Sequence, residues 1–156
     1  MINHAQTAKE LFLQGYNCSQ SVVAAFCDET GLDVETSLKI SSSFGAGMGK
    51  LREVCGAVSG VFMVLGLLYG YSNPDDFQTK TELYERVQLL GNQFKTTNGS
   101  FICRELLGLS QKEESSVPEQ RTKAYYKKRP CAELVEQAAE LLDEYIAKNK
   151  LEEIVL

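Results

Sequence analysis

A chain of 156 residues, 44% of them hydrophobic, can bury one substantial core but is short for two, so residues 1–156 are read as a single domain. A formal net charge of -5 excludes a general nucleic-acid binder, which needs a basic face to displace phosphate counterions. The basic stretch at 125–129 (YYKKR) is too short to change that and reads as a solvated surface strip.

Residues 1–13 carry no basic start followed by a continuous apolar run and a small-residue cleavage site, so a cytoplasmic location is expected. In a reducing compartment a structural disulfide framework is disfavoured. Five cysteines, an odd number, then point to redox cycling or metal binding.

The first element is an amphipathic helix over about 4–15, with Ala8, Leu11 and Phe12 on one face and Gly15 as its stop. Asn17 is a good N-cap for a second helix over about 18–29, with Val22, Ala25 and Phe26 turned inward. Asp33 caps a third, ending near 43. The glycine-dense segment 44–50, FGAGMGK, fails the phosphate-loop pattern, because Phe44 stands at its first position and Leu51 at its last. The dinucleotide fingerprint fails as well, since the preceding element is a helix and the third glycine is misplaced. The segment reads as a turn that lets the backbone pass close to another group.

Residues 54–71 contain no charged side chain and reach the lower edge of transmembrane length. Gly56, Ser59, Gly60, Gly66 and Gly70 interrupt the run, and the neighbouring amphipathic segments need an apolar partner. A buried central helix over about 53–69 is therefore expected, with no membrane span. Asp75 or Asp76 begins a long helix to about 97, carrying Leu83, Val87, Leu90 and Phe94 at helical spacing and stopped by Asn98-Gly99. Ser100 looks like the cap of a short helix, 108–118 like a surface loop, and 130–148 like the last helix. No period-two alternation persists. The expected fold is an all-α, single-domain helical bundle around the glycine-containing apolar helix.

Cys18, Cys55, Cys103 and Cys131 each fall in the first turn of a different expected helix. Unpaired N–H groups and partial positive charge at a helix start stabilise anionic sulfur. No CxxC pair exists, which removes the local redox motif and makes a zinc ribbon a poor fit. Tertiary packing must bring the four together. Cys27, nine residues after Cys18, points to the opposite face of its helix and is set aside as core filling. Cys131 follows Pro130 and the cations Lys127, Lys128 and Arg129, so a depressed pKa is expected there if it is partly exposed. Cys55 opens CGAVSG, whose Gly56, Ala57 and Gly60 form a small-residue face that admits a packed helix or a cofactor. Lys50, Arg52 and Glu53, leading into this helix, read as solvated caps rather than tuning groups. His4, the sole histidine, sits in an N-terminus expected to fray and is not counted as a ligand.

The order of GYNCSQSV around Cys18, FGAGMGKLREVCGAVSG through Cys55, then Cys103 and Cys131, resembles the C_GCAxxG_C_C family across nearly the whole chain. The resemblance implies a redox-active bacterial or archaeal protein in which Cys18, Cys55, Cys103 and Cys131 are the functional positions. Gly56, Ala57 and Gly60 match the family's named segment. Ala46 interrupts the glycine run that precedes it in the family, and Cys27 lies outside the pattern.

Two chemistries remain open, beside a purely structural use of the thiols. Two cysteines could cycle between dithiol and disulfide in any of three pairings, with Cys131 as the attacking thiolate, which would make the chain a thiol oxidoreductase. Alternatively all four thiolates hold one metal centre, an iron–sulfur cluster or tetrahedral zinc, for electron transfer. A redox partner is implied but unidentified, and the long apolar-faced helices permit a homodimer.

Overall fold

The computed structural model describes residues 2–110 and 115–155, and its architecture is all-α. Helix α1 (His4–Leu13) is capped by Asn3, whose side chain accepts from the Gln6 N–H. Helix α2 (Cys18–Ala25) starts with a full capping box in which Asn17 and Gln20 satisfy one another's backbone. The expected helix over 18–29 breaks at Phe26, and α3 (Cys27–Thr30) follows. The break has a tertiary cause. The buried Phe26 ring stacks on His4 at 4.3 Å, and Asp28 reaches the His4 Nε2 at 2.9 Å. His4 is thus not frayed: it is 5% exposed and held on its other nitrogen by Asp143 of the last helix.

Asp33 caps α4 (Val34–Ser41), which runs into a 3-10 turn (Ser42–Phe44). The next segment, α5 (Gly45–Met48), is wound left-handed: φ is positive at every residue from 46 to 50, and again at Arg52. Ala46, Met48, Lys50 and Arg52 adopt it without being glycine, at roughly 1–2 kcal/mol each. The chain then pairs briefly with a remote segment through the bridge Val54↔Ile102. Because Glu53 and Val54 are used there, the central helix α6 (Gly56–Tyr69) starts three residues later than the sequence suggests.

Helix α7 (Phe77–Asn98) is capped by Asp76 and stopped by left-handed Gly99. Helix α8 (Cys103–Leu106) is entered from Ile102, not from Ser100, whose hydroxyl instead accepts from the Ile102 N–H. Of the loop expected over 108–118, residues 111–114 lie outside the described residues. Helix α9 (Lys123–Lys128) carries most of the basic strip, and α10 (Cys131–Val155) outruns its expected end. Its first carbonyl acceptor is Pro130, bonded by the Leu134 N–H.

The apolar face of α6, with Val58, Val61, Val64 and Leu65, packs against α2, α7 and α10. A Cβ at Gly60 would lie 2.9 Å from the Val22 Cβ, so a glycine is what lets α2 and α6 approach this closely. Among the described residues no helix is long and apolar enough to cross a membrane.

Candidate redox site

The four helix starts converge. Cys18 is the first residue of α2, Cys55 the N-cap of α6, Cys103 the first residue of α8 and Cys131 the first of α10. All four line one cavity of about 250 Å³, and all are free thiols. Cys55 and Cys103 are buried, Cys18 and Cys131 half-buried. Cys27 is elsewhere: it lies half-buried with its sulfur 3.1 Å from the Ser37 hydroxyl, and is a contact between α3 and α4 rather than part of the core. Gly56 and Ala57 line the cavity, whereas Gly60 serves the α2–α6 contact.

Local backbone explains the convergence. Across the Val54↔Ile102 bridge the Cys55 N–H donates to the Phe101 carbonyl at 2.8 Å, and the Cys103 N–H to the Glu53 carbonyl at 2.6 Å. Two cysteines 48 positions apart are thereby fixed by main-chain bonds. Cys18 rests on Gly56, where an added Cβ would come within 2.4 Å of its sulfur. The left-handed turn completes the wall. At Gly47 a Cβ would meet the Cys103 Cβ at 2.6 Å and the Arg52 Cα at 2.7 Å, and at Gly45 one would collide with the Asn17 side chain. Asn17 in turn donates to the Ser42 carbonyl at 2.9 Å, tying the cap of α2 to this turn.

Cations surround the sulfurs, and here the sequence reading is corrected. Arg52 is no solvated cap: it is 6% exposed, and its Nη1 donates to the Cys103 sulfur at 3.7 Å. Glu53 is paired with Arg104 at 3.0 Å, and the Lys50 ammonium donates to the Val117 carbonyl. Arg129 is also 6% exposed and pairs with Glu119, so of the strip 125–129 only Lys127 and Lys128 are solvated, while Tyr125 and Arg129 face the cavity. Arg121, which no sequence signal marked, bonds the Phe12 and Tyr16 carbonyls at 2.9 and 3.0 Å and lies 4.1 Å from the Phe12 ring centre. Its anchors are 105 and 109 residues away, which is why no local pattern shows it.

Burial governs the titration of the thiols. Desolvation first, then the charges of Cys18 and Cys103, push the Cys131 thiol up to about 12, and Arg129 and Arg121 offset only part of this. The expected depression at Cys131 is therefore reversed, because the sulfur loses water as it gains its cations. Burial also raises Cys55 well above the ordinary thiol value, with Cys18 adding to it. Cys103 is raised by burial too, although the Arg52 hydrogen bond and charge pull it back. Cys55, Cys103 and Cys131 thus each sense the charge of Cys18. Among the described residues no three of the sulfurs lie within 4.8 Å of one another.

No curated protein and no solved structure matches the chain. Residues 16–145, most of its length and all four cavity cysteines, match a family model described as "Putative redox-active protein (C_GCAxxG_C_C)". The chain therefore belongs to the C_GCAxxG_C_C family.

Proposed function

We propose that Cys18, Cys55, Cys103 and Cys131 form a single redox centre, through which the protein takes up and passes on electrons. The observation that carries this is their arrangement: four thiols from four separate helices line one cavity walled by Arg52, Arg121 and Arg129. Soft sulfur donors supply the electron-exchanging or metal-holding group, and the guanidinium charges compensate anionic sulfur in a partly buried site. Gly56 lets the Cys18 sulfur sit directly against the start of α6, where any added Cβ would collide with it.

A second reading, exchange between a dithiol and a disulfide within this set, is favoured by the Arg52 contact to the Cys103 sulfur, since a guanidinium there stabilises the attacking thiolate. In that chemistry two thiols lose two protons and two electrons and join as a disulfide, while an accepting disulfide leaves as a dithiol. It moves the nucleophile from Cys131 to Cys103.

Stepwise reductive titration of anaerobically purified protein tests the proposal. The wild type is expected to accept electrons reversibly, and a variant with all four cysteines replaced by serine to accept none. Uptake unchanged in that variant refutes the centre. Paired two-electron uptake without colour favours the second reading.

A further inference from the structure

We infer that the four-cysteine cavity is the seat of a polynuclear iron–sulfur cluster, held by Cys18, Cys55, Cys103 and Cys131. This rests on the reading that those cysteines form one centre, and it names the group that the centre holds.

Three independent features carry it. The first is spacing. A tetrahedral zinc with Zn–S bonds of ~2.3 Å sets every pair of sulfurs about 3.8 Å apart. Here no three sulfurs, among the described residues, come within 4.8 Å of one another. Between them is a void of about 250 Å³, far more than a single ion needs. A cluster, by contrast, separates its ligands by the width of its own core.

The second feature is rigidity. Cys55 stands opposite Phe101 in the bridge, and Cys103 is two residues further along, so the two cysteines are diagonal neighbours with Cα atoms about 7–8 Å apart. A disulfide needs Cα atoms closer than roughly 7 Å. The main-chain bonds on either side of the bridge, 2.8 and 2.6 Å, resist the shift that would join them. This pair is splayed and fixed, which suits two ligands of one larger group.

The third is the make-up of the wall. Among the described residues it offers four sulfurs, one carboxylate already paired with Arg129 and no imidazole, a donor set that suits iron–sulfur centres better than harder cations. Among the described residues Lys50, Arg52, Arg121 and Arg129 face the cavity and Glu119, paired with Arg129, is the one carboxylate, so ligating thiolates would meet a wall of net positive charge. Phe12, Ala57, Leu106, Leu107 and Leu134 give the wall an apolar part beside the polar Asn17, Ser42, Ser116 and Tyr125, and such an apolar part limits the access of water to an electron-transfer centre. On ligation each thiol releases its proton as its sulfur binds iron. A cluster held by these four cysteines would supply one-electron exchange with no bond made or broken in the protein.

The test is anaerobic reconstitution of the full chain with mixed ferrous and ferric iron and sulfide, which assemble a core without a further oxidant. Iron and acid-labile sulfide are counted per chain after desalting, visible absorption is recorded, and electron paramagnetic resonance is measured after dithionite reduction. Several irons and sulfides per chain are expected, with absorption that bleaches on reduction. Each of Cys18→Ser, Cys55→Ser, Cys103→Ser and Cys131→Ser should lower bound iron at least tenfold while keeping the helical circular dichroism; Cys27→Ser should keep both. Where a serine variant does not fold, the corresponding Cys→Ala variant replaces it. A folded wild type that retains no sulfide-bound iron overturns the inference, as does equal loading of the quadruple variant. If that wild type still takes up electrons in pairs, the cluster fails and the four-cysteine centre stands; if it takes up none, both fail.

Discussion

Gly47→Ala is the sharpest probe of how the left-handed turn builds the site. Gly47 has φ +66, and an added Cβ would lie 2.6 Å from the Cys103 Cβ, 2.7 Å from the Arg52 Cα and 2.9 Å from the Arg52 carbonyl carbon. Two of those atoms are backbone and cannot rotate away. The left-handed conformation costs alanine roughly 1–2 kcal/mol, and overpacking adds about 1–3 kcal/mol. The sum, about 2–5 kcal/mol, corresponds to a loss of roughly 4–20 °C in Tm for a chain of this size. Gly49→Ala supplies the control. Gly49 has φ +62, but the nearest atom to an added Cβ is the Ser43 carbonyl oxygen at 3.7 Å, an ordinary contact. It should incur only the conformational cost. Thermal unfolding followed by circular dichroism measures both, and the difference between them isolates the clash with Arg52 and Cys103. Equal melting temperatures for the two variants would refute the argument that Gly47 is held by close approach to these residues.

Gly66→Ala should act in the opposite direction: the position is exposed within α6 with nothing inside 4 Å of an added Cβ, so a gain of about 0.5–1 kcal/mol is expected, and a lower Tm would contradict it. In the folded, metal-free protein, alkylation of Cys131 followed by mass spectrometry should rise about tenfold per pH unit from about pH 7 to 10 without a plateau, since burial holds the thiol up to about 12; a plateau near its ordinary value of 9.0 would show a solvated thiol. The sign for stability follows, because a thiol protonated in the fold beyond its unfolded value contributes fully below that value and loses its contribution as pH climbs toward 12. Chemical denaturation should therefore show stability falling above about pH 9, by up to ~1.4 kcal/mol per unit for each such thiol. Arg52→Gln removes the group that lowers the Cys103 pKa, so alkylation of Cys103 at fixed pH should slow; an unchanged rate would place the guanidinium out of reach of the sulfur.

Much of the scaffold was legible because its signals are local. Asn17, Asp33 and Asp76 cap the helices that they precede, Gly31 and Gly99 end theirs with positive φ, and the cysteines at 18, 55, 103 and 131 stand at helix starts. The alternating glycines of 44–50 correctly suggested close backbone approach, although nothing in Ala46, Met48 or Lys50 announces a left-handed turn. What escaped depends on distant partners. Phe26 breaks its helix because His4 and Asp143 arrive from either end of the chain, and Arg121 finds its carbonyls on α1 and just beyond it. The Cys131 pKa went the other way because local cations are visible in a sequence, whereas the loss of water around a sulfur is a property of the closed fold.

The central claim, that four cysteines act as one unit, is tested most directly by comparing electron uptake in the four single Cys→Ser variants with uptake in the quadruple variant. Groups that act as a unit are strongly non-additive. Each single replacement should therefore abolish uptake as completely as all four together, with Cys27→Ser at the wild-type level. Losses that accumulate one cysteine at a time, or a single variant that retains full uptake, would contradict it.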